Sequence, residues 1–226
     1  MIPALSYADV ELFLNQESFQ TQNGFAKGLP STANTVGFVL FDQNFDREPV
    51  ADVVRNLDML NQHSDTSIHF FLCGISKFGR SEGSAKKVGV LDNTPLFHNA
   101  SAALSFAREF ERRIPGWNYN LGFDLILIDV KSDDEYRTLD FDKPISFRVE
   151  ELIRIEVIER PTELFGKLIK FARDGEFESA ARLRNHLREV FGLNWFKGLV
   201  VTLFPKAVGK LARAEAVLRG GYAQAE

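Results

Sequence analysis

Gly74-Ile75-Ser76-Lys77-Phe78-Gly79-Arg80-Ser81 lies at the end of an apolar run and has the spacing of a phosphate-binding loop, with Arg80 where such loops carry lysine. Leu125–Asp129 (LILID) resembles the acidic strand end that helps hold magnesium in such sites. A phosphate loop also needs a long helix at its end, so that amide N–H groups and the helix dipole meet the anion. Here EGSAKKVGVLDNTP offers at most one helical turn, and arginine is a planar fork where a compact charge is required. Nucleotide hydrolysis is therefore not expected. Two weaker readings remain: anion binding by Lys77, Arg80, Lys86 and Lys87, or a solvated surface loop.

Acidic residues gather twice, at Asp42/Asp46/Glu48 and at Asp133/Asp134/Glu135 with Asp140 and Asp142. The first group follows an apolar strand run, where ligands bind in open α/β sheets, so Asp42 with Asp129 forms a candidate strand-end site. Acids ahead of a helix also satisfy its dipole, and the second group reads as a hairpin turn, so no metal is expected. His69, Phe71 and Cys73 alternate and share one strand face. A His–Cys pair can make a thiolate nucleophile. The single cysteine in FFLCG instead reads as a small core hydrophobe. Trp117 and Tyr119 in PGWNYNLG read as a plug at the end of a core, or else as a partner anchor.

A third concentration lies in Asn194–Arg213, which has four cations and no acids. Trp195, Phe196, Leu199, Val200, Leu203 and Phe204 fall on one broad apolar stripe, with Lys206 and Lys210 beyond it. Such a stripe docks on its own protein, on a partner or dimer mate, or on a membrane surface.

The elements that must position these groups alternate. Residues 8–20 read as a short amphipathic helix, 28–34 as a connector, and Thr35–Asp42 as a strand buried on both faces. Pro49 opens a helix over 50–63, and Ser67–Ser76 is a second buried strand. A helix at about 101–114, capped by Asn99 or Ser101, leads to a third strand at Phe123–Lys131. An antiparallel fourth strand is expected at 144–150 and a helix at 161–173. The chain after Gly175 reads as helical to Gly220-Gly221.

The 226 residues carry 45% apolar side chains and 21 phenylalanines, enough for a packed core. No run reaches the roughly 18 apolar residues of a spanning helix, and MIPALSYADVELF does not read as a secretory signal. With one cysteine and no intramolecular disulfide, the cytoplasm is the expected compartment. Residues 1–159 hold 24 acids against 15 Lys and Arg, whereas residues 160–226 hold 7 against 12. An acidic body with a basic tail follows.

The element order over residues 35–173 resembles the thioredoxin-like superfamily, with a βαβ-α-ββα core, an N-terminal helix and a C-terminal helical extension. The resemblance places a redox pair where the first core strand runs into its helix. Those positions read Asp42-Gln43-Asn44-Phe45-Asp46-Arg47-Glu48-Pro49, without cysteine. It also places a cis-proline before the third core strand, where this chain has Leu121-Gly122. Disulfide exchange, which needs a thiolate and a resolving partner, is thus not implied. LFHNASAALSFAREFERRIPGWNYNLGFDLILID, LDFDKPISFRVEELIR and RPTELFGKLIKFAR resemble a group of uncharacterised bacterial proteins. DGEFESAARLRNHL is similar to the second helix of the UVR motif, a helical hairpin for protein contact.

These readings predict a thioredoxin-like α/β domain over 1–175 and a basic helical module over 176–226. They predict a non-catalytic binding or scaffold protein without a cofactor, docking through Trp195, Phe196, Leu199, Lys206 and Lys210. The expected partner is a protein or a second copy; a membrane surface and nucleic acid are not expected. The alternative is an enzyme or sensor for a phosphorylated or nucleotide ligand at the strand ends and the 74–90 loop.

Overall fold

The longest apolar runs of the chain become the centre of one sheet. The computed structural model describes residues 1–16, 18–21, 24–29, 34–41, 45, 47–64, 68–77, 86–133, 136–174 and 179–180. In chain order these form β1 (Ile2–Ala4), α1 (Tyr7–Asn15), β2 (Ser18–Thr21), β3 (Gly24–Lys27), β4 (Thr35–Leu40), α2 (Glu48–Arg55), α3 (Leu57–Ser64), β5 (His69–Cys73) and β6 (Ile75–Ser76). There follow β7 (Lys86–Leu91), β8 (Thr94–His98), α4 (Ala100–Arg113), β9 (Asp124–Ser132), β10 (Arg137–Arg148), α5 (Val149–Arg154) and α6 (Pro161–Arg173). The chain is thus mixed α/β, with six helices among the described residues.

The main sheet has the order β1-β5-β4-β9-β10. β1, β5 and β4 are parallel, β9 runs against β4, and β10 runs against β9. Every residue of β4 is buried, as expected of a strand covered on both faces. Alternation divides the side chains of the sheet between two cores. Val39, Phe70, Leu72, Leu125 and Leu127 meet residues of α2, α3, α5 and α6. Val36, Phe38, Phe71, Cys73, Ile126 and Ile128 meet α1 and α4. Period-two alternation in three central strands therefore produces a three-layer arrangement.

Helix starts follow local chemistry. Ser6 Oγ accepts from Asp9 N and Asp9 Oδ2 accepts from Ser6 N, a capping box that opens α1. Asn99 Oδ1 accepts from Ala102 N at 3.0 Å to cap α4. Pro161 begins α6, and Asp52 of α2 accepts the Thr162 N–H at 3.0 Å.

Several boundaries differ from the sequence reading. α1 ends at Asn15, and Ser18–Thr21 pairs with Gly24–Lys27 as a hairpin, so the expected helix over 8–20 is cut short. The helix expected over 50–63 is two helices separated at Asn56. The strand expected over 67–76 breaks at Gly74, whose φ of 77° leaves the β region. Lys86–Leu91, expected as part of a loop, is a strand that pairs with β8 in a three-stranded sheet of order β6-β8-β7. The fourth strand is longer than 144–150 at its start, so Asp140 and Asp142 lie within β10 and not in the turn. α5 and β1 were not anticipated; both are too short to show a period.

Candidate functional site

The end of β4 at Leu40 and Phe41, the N-terminus of α4 and the segment 117–123 converge on one small depression. Gly74 makes the approach possible. Its N–H donates to Ala4 O at 2.8 Å, and its carbonyl accepts from Asn99 N at 2.7 Å, tying the end of β5 to the start of α4. A Cβ at this position would lie 2.7 Å from Ala103 N and Cβ. Pro115-Gly116 ends α4, and Trp117 turns back into the core, edge-on to Phe110 and stacked on Tyr119. Tyr119 Oη lies 2.9 Å from Phe41 O and 3.0 Å from Gly122 O, so its one proton is shared between the strand end and the loop. The core-plug reading of Trp117 and Tyr119 fits this geometry. Leu121 stands outside it, with a φ of 60° and 57% exposure.

The depression has a volume of about 170 Å³ and is lined by Phe41, His98, Ala100, Ala103, Leu104, Tyr119 and Leu121. Sites for drug-sized ligands run to roughly 300–1,000 Å³, so this one suits a single apolar group such as one side chain. His98 is buried and packs edge-on to Phe45 at 4.7 Å.

Behind the same loop lies Asp124, the first residue of β9 and 1% exposed. Across the ladder it faces Leu40 on one side and Arg148 on the other. Burial pushes its carboxyl up to about 7; Arg148 and the indole N–H of Trp117 oppose the rise, and Glu150 adds to it. Neither Asp124 Oδ2 nor Trp117 Nε1 reaches a hydrogen bond of normal geometry among the described residues. Arg148 Nη2 donates instead to Asn118 O at 3.1 Å, and Glu150 pairs with Arg47 at 3.2 Å. The sequence signal for Asp124 was its place at the head of an apolar strand. The sequence reading places the strand-end site at Asp129, the acid at the other end of that strand.

Asp129 is not at this end of the sheet. It faces Thr35, the first residue of β4, and so lies at the end remote from Leu40. Its Oδ1 accepts from Thr35 Oγ1 at 2.7 Å and from Ala180 N at 2.6 Å. The carboxylate thus serves the fold; its proposed companion Asp42 lies outside the described residues. Lys77 follows β6, and Lys87 faces Phe97 across the ladder from Ser76. Their backbones therefore flank β8 at roughly 10 Å, two strand spacings. Lys86 opens a strand, not the helix a phosphate loop requires. Arg80 lies outside the described residues, as do Trp195, Phe196, Leu199, Lys206 and Lys210 and every helix expected after residue 180.

Cys73 is fully buried, and desolvation raises its thiol pKa well above the ordinary range. It shares its face with Phe71 and packs among α1 and α4, the core role expected of it. Among the described residues no three His, Cys, Asp or Glu side chains are grouped as a metal ion would require. No helix among them is long and apolar enough to cross a membrane.

No family model, no curated protein and no solved structure matches this chain.

Proposed function

We propose that this chain is a non-catalytic binding or scaffold protein on a thioredoxin-like domain without a redox pair, docking its partner through the C-terminal helices. The observation that carries the reading is the sheet. Four of its strands lie in the order β5-β4-β9-β10, with β4 and β5 parallel and β9 alone reversed, and this arrangement supports the βαβ-α-ββα reading. The only cysteine lies in the middle of that core and has the raised pKa of an inert thiol. A fold of this kind without a redox pair retains a rigid platform and an apolar depression beside the end of β4, which suits recognition better than bond-making chemistry. The cytoplasm remains the compartment we propose, on the cysteine usage.

The reading in which a phosphorylated or nucleotide ligand occupies the strand ends and the 74–90 loop draws less support. Asp129 is already engaged by two donors, and Lys86 leads into a strand.

The test is affinity purification from the source cells with mass spectrometry. It compares the full chain with a full-length variant carrying Trp195→Ala, Phe196→Ala, Lys206→Glu and Lys210→Glu. We expect a stoichiometric partner, or a second copy seen as a doubled mass by light scattering, that the variant loses. A partner kept equally by both chains would overturn docking through the tail. Monomeric, partner-free recovery of both would overturn the binding role.

A further inference from the structure

Asp9, Asp52, Asp124 and Asp129 are the buried carboxylates among the described residues. Three of them have a structural task. Asp9 accepts from Leu5 N at 2.9 Å and Ser6 N at 3.0 Å, Asp52 caps α6 through Thr162 N, and Asp129 holds Thr35 and Ala180. Asp124 is different: its Oδ2 is buried without a hydrogen bond among the described residues. A buried carboxylate with no well-formed hydrogen bond is costly unless it is protonated or a cation comes to it.

The cation is one strand away. Arg148 and Asp124 are a directly opposed pair, so their side chains leave the same face of the sheet. The guanidinium is committed elsewhere, to Asn118 O in the loop that carries Tyr119 and Leu121. From α5, Glu150 also bears on the carboxyl, but its own charge is met by Arg47 at the start of α2. The loop itself contributes Trp117, and β4 contributes the apolar Leu40. Tyr119 Oη is held by the Phe41 and Gly122 carbonyls.

We propose that Asp124 and Arg148 form a proton-operated latch on the 117–122 loop. With the carboxyl protonated, Arg148 stays on Asn118 O and the loop walls the depression. When the proton leaves to solvent, the carboxylate draws Arg148 across the strand pair. Asn118 is then released, and the wall made by Tyr119 and Leu121 loosens. The latch does not depend on what the tail binds, so it stands or falls separately from the proposed function.

Trp117 reports on it directly. The chain has two tryptophans, and the full-length Trp195→Phe variant leaves Trp117 alone beside the carboxyl. Its emission, followed from about pH 5 to about pH 9, should show one transition centred near 7. Asp124→Asn in the same background should abolish the transition. Arg148→Gln should raise the midpoint by about one unit, because the stabilising cation is gone. A flat profile, a transition that survives Asp124→Asn, or an unmoved midpoint in Arg148→Gln would overturn the proposal. Hydrogen exchange on the unmutated chain gives a second readout should a variant fold poorly. After correction for intrinsic rates, amides 118–122 should exchange at least about threefold faster at about pH 8 than at about pH 6. Equal corrected rates would also overturn the latch.

Discussion

Two side chains of similar burial have opposite standing in this chain. Cys73 and Asp124 are both enclosed, and burial disfavours the charged form of each. For the thiol this removes reactivity, since the thiolate is the nucleophile. For the carboxyl it moves a titration from the acid range to about 7 and ties folding to pH. The folded chain keeps a proton that the unfolded chain releases. The stability Asp124 contributes is complete below the unfolded carboxyl value of 3.8 and is lost as pH rises towards about 7. We expect wild-type stability to fall across that window by at most about 4 kcal/mol from this group, less whatever Arg148 restores. Asp124→Asn should lack that component and be the more stable chain at about pH 8. Urea denaturation at several pH values measures both curves. Parallel curves for the two chains would show that Asp124 is not the group responsible.

At the scale of elements, the chain was most legible where periodicity and punctuation agree. Pro161 and the apolar face of Leu164, Phe165, Leu168 and Ile169 mark α6, and the observed helix runs Pro161–Arg173. Asn99 and Pro115 bracket α4 in the same way. The small sheet is hard to read from sequence because β7 is an edge strand, half of whose residues are exposed, with a register shift between Lys87 and Gly89. Its signal was nonetheless present. Asp92 and Asn93 both have positive φ, at 50° and 60°, and link Leu91 to Thr94 as a two-residue hairpin turn. Asp and Asn tolerate positive φ better than other non-glycine residues, so the pair between two apolar segments is a turn signal. The strand-end site differs from the sequence reading for another reason. Sequence shows that an acid ends a strand run, but not which end of a mixed sheet that acid occupies. The antiparallel course of β9 put Asp124, not Asp129, beside Leu40. Gly74 offers the sharpest test at this scale. An alanine there would be forced into φ 77° with its methyl 2.7 Å from Ala103 N. We expect Gly74→Ala to cost about 2 kcal/mol or more in urea denaturation and to displace the start of α4. A loss below about 0.5 kcal/mol would show that α4 yields freely at that contact.

At the scale of the whole molecule, the question is how the chain beyond α6 is joined to the sheet. The body does not end with α6. Ala180 is fully buried, belongs to the same core as Leu164 and Phe165, and donates its N–H to Asp129 Oδ1 at 2.6 Å. Thr35 Oγ1 meets the same oxygen, so one carboxylate at the head of β4 gathers the first core strand and the start of the tail. Asp129→Ala leaves both donors buried without a partner, and each costs about 1–3 kcal/mol. The loss should be local before it is global. Trypsin should cut the variant after Arg173 or Arg182 several-fold faster than the wild type, while the sheet stays folded by far-ultraviolet circular dichroism. Asp129→Asn, which retains an acceptor oxygen, should recover much of the resistance. Cleavage at the wild-type rate in Asp129→Ala would mean that core packing around Ala180, and not this hydrogen bond, holds the tail to the body.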